Sequence, residues 1–87
     1  MDIVSQNKEF FRNYPKIEKS LLKVPKPPRG YWYDAHFLDS SLFLFEMTMH
    51  KKMNIQVATD RIIMISEDGT IKDTKECINC ISFNDLV

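Results

Sequence analysis

Asp34 and His36 stand two residues apart in a stretch of alternating pattern, so on an extended strand their side chains leave the same face. A carboxylate beside an imidazole fixes the ring's orientation, an arrangement that general-base catalysis uses. Nucleophilic chemistry needs a third group. Ser40, Ser41 and Ser82 are present, but none lies in a glycine-flanked elbow. Two glycines in 87 residues leave no phosphate-cradling loop and no dinucleotide fingerprint. The reading is non-enzymatic, with Asp34 and His36 a local pair on a half-exposed strand; an enzyme built on the two is the catalytic alternative.

Cys77 and Cys80 form a CxxC, the one motif of metal or redox type. A tetrahedral zinc site needs four ligands, and His36 and His50 fall in different strand-like segments without finger-like spacing. A thioredoxin-like dithiol sits between a strand and a helix start, whereas this pair follows a turn late in the chain. Two thiols packed as small apolar residues is the expectation, and no metal or cofactor is called for.

Binding has better material. Residues 31–50 hold six of the ten aromatic side chains, and Arg29, Trp32 and Tyr33 are of the types most enriched at the energetic centres of interfaces. Asp34, Asp39 and Glu46 bring negative charge to the same stretch, with Asp60, Glu67 and Asp68 further on. Residues 1–30 carry seven Lys/Arg against three Asp/Glu and residues 31–87 five against nine, so a net charge of zero conceals +4 and −4. The reading is an acidic sheet edge that attracts a basic protein partner, held by Trp32 and Tyr33 and flanked by Arg29 and His36. Immunity proteins and phage-encoded inhibitors are small chains of similar make-up. The rival partner is RNA or single-stranded nucleic acid, held by Lys16, Lys19 and Lys23.

These residues need elements to position them. A hydrophobic share of 44% beside 28% charge argues against disorder. Phe10, Tyr14, Ile17 and Leu21 mark one stripe of an amphipathic helix, which Pro15 kinks or splits. The split form ends its first helix near Arg12 and caps the second at Asn13. Residues 25–30, with three prolines, form a stiff connector. Pro25 and Pro28 beside Arg29 also satisfy a minimal PxxP, but their place between two structured elements makes the segment a spacer. The rest reads as β: strands over residues 31–38, 42–50, 54–59, 61–66 and 70–72, a turn at Asp60, and an Asp68-Gly69 turn. Residues 77–83 lean to a last strand.

The loop at residues 39–41 decides which side chains share a face. A three-residue loop sets Tyr31, Tyr33, Ala35 and Phe37 beside Phe43, Phe45, Met47 and Met49 as an apolar core face for the helical stripe. A two-residue loop instead puts Asp34 and His36 beside Phe43 and Phe45, at about 1–3 kcal/mol for each buried polar group left unpaired. The odd-length loop is expected, with Trp32, Asp34 and His36 on the opposite face.

Val57-Ala58-Thr59-Asp60-Arg61-Ile62-Ile63-Met64, then Gly69, then Ile81-Ser82-Phe83-Asn84-Asp85-Leu86, resembles the central strands of bacterial PH-like domains. The resemblance implies a curved antiparallel sheet used for protein or lipid-headgroup binding, without catalysis; it carries no functional residue over. A full PH-like barrel continues through further strands to a capping helix, and here the helical segment comes first.

The expected fold is α+β in one domain, residues 1–87. A helical segment (1–24) and a proline-rich connector (25–30) precede an antiparallel meander of about five strands (31–87), with the helix packed on the sheet. No apolar run approaches the roughly 20 residues of a membrane span, and the charged N-terminal stretch lacks a signal-peptide core, which points to the cytoplasm. Sheet edges leave a homodimer open.

Overall fold

The structure, a computed structural model, describes residues 3–74. Three short helices come first: α1 (Ile3–Gln6), α2 (Lys8–Asn13) and α3 (Pro15–Leu21). Pro15 occupies the first turn of α3, where its missing N–H has no intrahelical partner to lose. Tyr14, at φ −129° and ψ 67°, is at once the C-cap of α2 and the N-cap of α3. Asn13, the expected cap, is instead the last residue of α2. Proline disfavours helical backbone in the residue before it, so the break falls on Tyr14.

Four strands follow in meander order: β1 (Tyr31–Leu38), β2 (Ser41–His50), β3 (Ile55–Ile65) and β4 (Ile71–Asp73), all antiparallel. The described sheet therefore has four strands where about five are expected. The two segments expected on either side of Asp60 are one strand, β3. Residues 77–83 and the Cys77–Cys80 pair lie outside the described residues.

The β1–β2 loop has two residues, Asp39 and Ser40, with Leu38 paired to Ser41. Asp39 takes φ +55°, which a short polar side chain tolerates and a tight hairpin requires. This corrects the three-residue expectation and reassigns the faces. Tyr33, Ala35 and Phe37 share the inner face with Leu42 and Leu44, and Phe43 and Phe45 turn the other way. The penalty that argued against this register does not arise. Among the described residues the helices pack on the inner face alone, and an antiparallel sheet tolerates polar groups on its second face, where Asp34 and His36 are exposed although Ile62, opposite Phe45, is buried.

Leu42, Leu44, Ile63 and Ile65 form the sheet side of the core, and Phe11 and Ile17 the helical side, all nearly inaccessible to solvent. Phe10, Tyr14 and Leu21 of the expected stripe pack around them with Phe37. Phe10 and Phe37 meet at 4.2 Å between ring centroids. Of the residues expected as core, Phe43, Phe45 and Met47 are only half-buried, and Tyr31 and Met49 are exposed. The proline connector is tied to the base of the hairpin. Tyr33 Oη donates to Pro25 O at 2.8 Å, the Tyr31 amide to Pro28 O at 3.0 Å, and Thr48 Oγ1 to Gly30 O at 3.0 Å.

The Asp68-Gly69 turn joins β3 to β4 as expected, with Gly69 at φ +90°. Buried Ser20 of α3 donates its hydroxyl to Gly69 O at 2.6 Å and so anchors the helix to this turn. A Cβ on Gly69 falls 2.9 Å from that hydroxyl and 3.3 Å from Lys16 O, whereas one on Gly30, also at positive φ, meets nothing within 4 Å. Gly30→Ala is expected to cost about 1 kcal/mol from backbone strain, and Gly69→Ala about 2–4 kcal/mol once the clash is added. Paired urea-denaturation curves measure the difference.

Candidate functional site

The outer face of the sheet carries Trp32, Asp34 and His36 from β1 and Phe43, Phe45 and Met47 from β2. Cross-strand register sets Trp32 opposite Met47, Asp34 opposite Phe45 and His36 opposite Phe43. β3 continues the surface with Met64 opposite Phe43 and Ala58 opposite Met47. A concavity of about 530 Å³ opens here, lined by Phe37, Leu38, Phe43, Phe45, Met47 and Ala58, with Asp34 and His36 as the polar members of its described lining.

His36 Nε2 lies 3.1 Å from Asp34 Oδ2, and the two side chains remain 57% and 56% exposed, so the pair is solvated. The imidazole stands edge-on to Phe45 at 5.0 Å between centroids and 88° between planes. The ring is thus held by a carboxylate on one side and an aromatic face on the other. Chemically, the group can donate or accept a hydrogen bond and present a carboxylate beside an apolar floor. No hydroxyl or thiol nucleophile is among the described lining residues.

The other sequence-derived candidates scatter. Arg29 is exposed at the end of the connector, Asp39 sits exposed in the hairpin turn, and Tyr33 belongs to the inner face. Burial raises the pKa of the Tyr33 phenol; Arg61 opposes that, and Glu46 and Asp73 add to it. Glu46 is only 8% exposed and committed to an internal network, which removes it from an acidic sheet edge. Asp39, Glu67 and Asp68 occupy turns at one end of the sheet, while Lys51 and Lys52 occupy the β2–β3 turn at the other. The acids accordingly do not line one edge. At Asp68, the Thr70 amide donates to Oδ1 at 3.0 Å, and this bond holds the carboxyl below the usual carboxylate range.

Arg61 is the residue that sequence reasoning missed. Between Phe45 and Met47, β2 has the single residue Glu46, where β3 has Thr59, Asp60 and Arg61 between Ala58 and Ile62. This bulge lies at the point expected to be a turn, and Arg61, two residues before Ile63, shares the inner face. Its guanidinium donates Nη2 to Asp73 Oδ2 at 2.7 Å, Nε to Asp73 Oδ1 at 3.1 Å and Nη1 to Glu46 Oε2 at 3.4 Å. Thr59 Oγ1 donates to Glu46 Oε1 at 3.0 Å. The fork on Asp73 raises the Arg61 pKa above its ordinary value, against the opposing effect of burial. A raised pKa contributes stability below the unfolded value and loses it above. An arginine's ordinary value already lies far above neutral pH, so the contribution is constant through the neutral range. The signal in the sequence was a lone arginine inside a Thr-Asp-Arg run; its two acceptors are distant in sequence.

Among the described residues, no helix is long and apolar enough to cross a membrane, and no group of three or more His, Cys, Asp or Glu side chains is placed to hold a metal ion. Comparison with protein-family models, curated proteins and solved structures finds no match.

Arg61→Met is expected to destabilise the fold by about 3–5 kcal/mol, because Glu46 and Asp73 then lie buried without their cation. Replacing all three together (Arg61→Met, Glu46→Leu, Asp73→Leu) is expected to lose less than Arg61→Met alone. Chemical denaturation of both variants checks the order.

Proposed function

We propose that the chain is a non-enzymatic protein-binding module that works through the outer face of its sheet. The observation that carries this reading is the apolar concavity floored by Phe43, Phe45 and Met47, with Asp34 and His36 on its wall. Soluble domains rarely leave an aromatic sheet face open, and such surfaces mark sites of association. Trp32, half-buried beside Met47, supplies a rigid anchor of the type that dominates interface energies.

The occupant is a protein that presents an apolar side chain beside a Lys or Arg. The apolar group fills the floor, and the cation meets Asp34, whose carboxylate His36 already orients at 3.1 Å. No Lys or Arg is in the described lining to repel it. Binding therefore combines desolvation of the floor with one charge-assisted contact, a mode that sets specificity more than raw affinity. Asp39, at the adjoining hairpin turn, adds to the field that draws a cation in. Inhibitors and immunity-type proteins act by covering a partner in this way, and that use is the functional class proposed. Exposed Lys16, Lys19 and Lys23 lie on the helical side, away from this face.

A partner captured from the native cell, then purified and titrated against the chain, tests the reading. Trp32→Ala and Asp34→Lys are each expected to weaken its binding by about tenfold to a hundredfold, about 1–3 kcal/mol, while Lys16→Glu, Lys19→Glu and Lys23→Glu leave it unchanged. Retention of an oligonucleotide that the lysine variants abolish and Trp32→Ala does not would overturn it in favour of nucleic-acid binding.

A further inference from the structure

Among the described residues β1 is an edge strand, eight residues long, and natural edges of that length are ordinarily blunted by proline, lysine or a bulge. β1 has none of the three. Its pairing with β2 is unbroken from Tyr31 to Leu38. A two-residue hairpin is closed by a hydrogen-bonded pair, here Leu38 with Ser41, so His36 and Asp34 direct their amides and carbonyls to β2. Tyr33, Ala35 and Phe37 direct theirs to the open side. The Tyr31 amide obeys the same parity, since it turns away from β2 to Pro28 O. Beyond that bond, no backbone hydrogen bond among the described residues reaches the open side of β1.

We infer that this edge pairs with the same edge of a second copy of the chain, antiparallel about a twofold axis at Ala35, to join two four-stranded sheets into one. Three backbone pairs close it: Tyr33 with Phe37 of the partner, Ala35 with Ala35, and Phe37 with Tyr33 of the partner. Each pair exchanges two N–H to O=C bonds, so the open groups of all three residues are satisfied. The side chains select this register. With the axis at Ala35, Asp34 of each protomer stands opposite His36 of its partner, in non-hydrogen-bonded pairs whose side chains approach most closely. Trp32 stands opposite Leu38, which is 57% exposed in the single chain. Shifting the axis to Asp34 keeps the backbone pairing but sets carboxylate against carboxylate. Shifting it to His36 sets imidazole against imidazole and Asp34 against Leu38. Of these three registers only the one centred on Ala35 is complementary along its length, and a closed twofold contact needs that self-complementarity. The two outer faces then lie side by side, giving one doubled surface.

Sedimentation equilibrium of the full chain, with no other protein present, separates this inference from the reading of the outer face. The expected result is a reversible dimer of twice 10.3 kDa. His36→Asp, which opposes two carboxylates at both ends of the contact, is expected to weaken it by about tenfold or more. The reciprocal exchange Asp34→His with His36→Asp restores the pairs and is expected to restore the dimer. Hydrogen exchange adds a reading that a contact elsewhere would not give: the amides of Tyr33, Ala35 and Phe37 become protected with rising concentration, while those of Asp34 and His36 are protected throughout. A chain that stays monomeric, or a dimer in which the exchanged variant fails to recover, overturns the inference.

Discussion

The two-residue turn at Asp39 and Ser40 couples the faces of β1 and β2, and every later assignment depends on that coupling. With Leu38 paired to Ser41, Phe37 falls with Leu42 and Leu44 under the helices, while Asp34 and His36 fall with Phe43 and Phe45 on the far side. Because side chains alternate with a period of two, one more loop residue would move the whole of β2 across the sheet. The helical segment is short and covers a single face. Two leucines fill the core from β2, and two phenylalanines are left outside it.

The second constraint is Arg61. Two buried carboxylates from different strands require a cation between them, and the three-residue bulge opposite Glu46 brings the guanidinium to that point. The bulge also permits β3 to run unbroken from Ile55 to Ile65 and still place Ile63 and Ile65 against Leu44 and Leu42. The network takes Glu46 out of the acids that the charge pattern offered to a partner, and it leaves the exposed negative charge at Asp34, Asp60 and the turns. The division of labour follows: Glu46, Arg61 and Asp73 hold the inner side, and Asp34 with His36 faces solvent.

Where local chemistry decides, the fold was legible in the sequence. Pro15 splits the helical segment, the prolines of residues 25–30 make an extended connector, Gly69 makes the turn, and β1 spans Tyr31–Leu38. Where a distant partner decides, it was not. Asp60 reads as a turn until Glu46 and Asp73 are known to converge on the neighbouring Arg61. The hairpin parity turns on whether the second face is covered, which no property of residues 39–41 records. The candidate site was half legible: Trp32, Asp34 and His36 were placed on the face away from the helices, but their apolar companions Phe43 and Phe45 were assigned to the core. Tyr33 and Glu46 were offered to a partner and belong inside.

The central claim is that Asp34 and His36 share the open face with Phe43 and Phe45. Nuclear Overhauser contacts in the isolated chain test it most directly. The account predicts cross-peaks between the His36 ring and the Phe45 ring, which lie 5.0 Å apart, and between Phe37 and Phe10, 4.2 Å apart. Cross-peaks from Phe43 or Phe45 to Phe10 or Phe11, with His36 lacking any to Phe45, would contradict it.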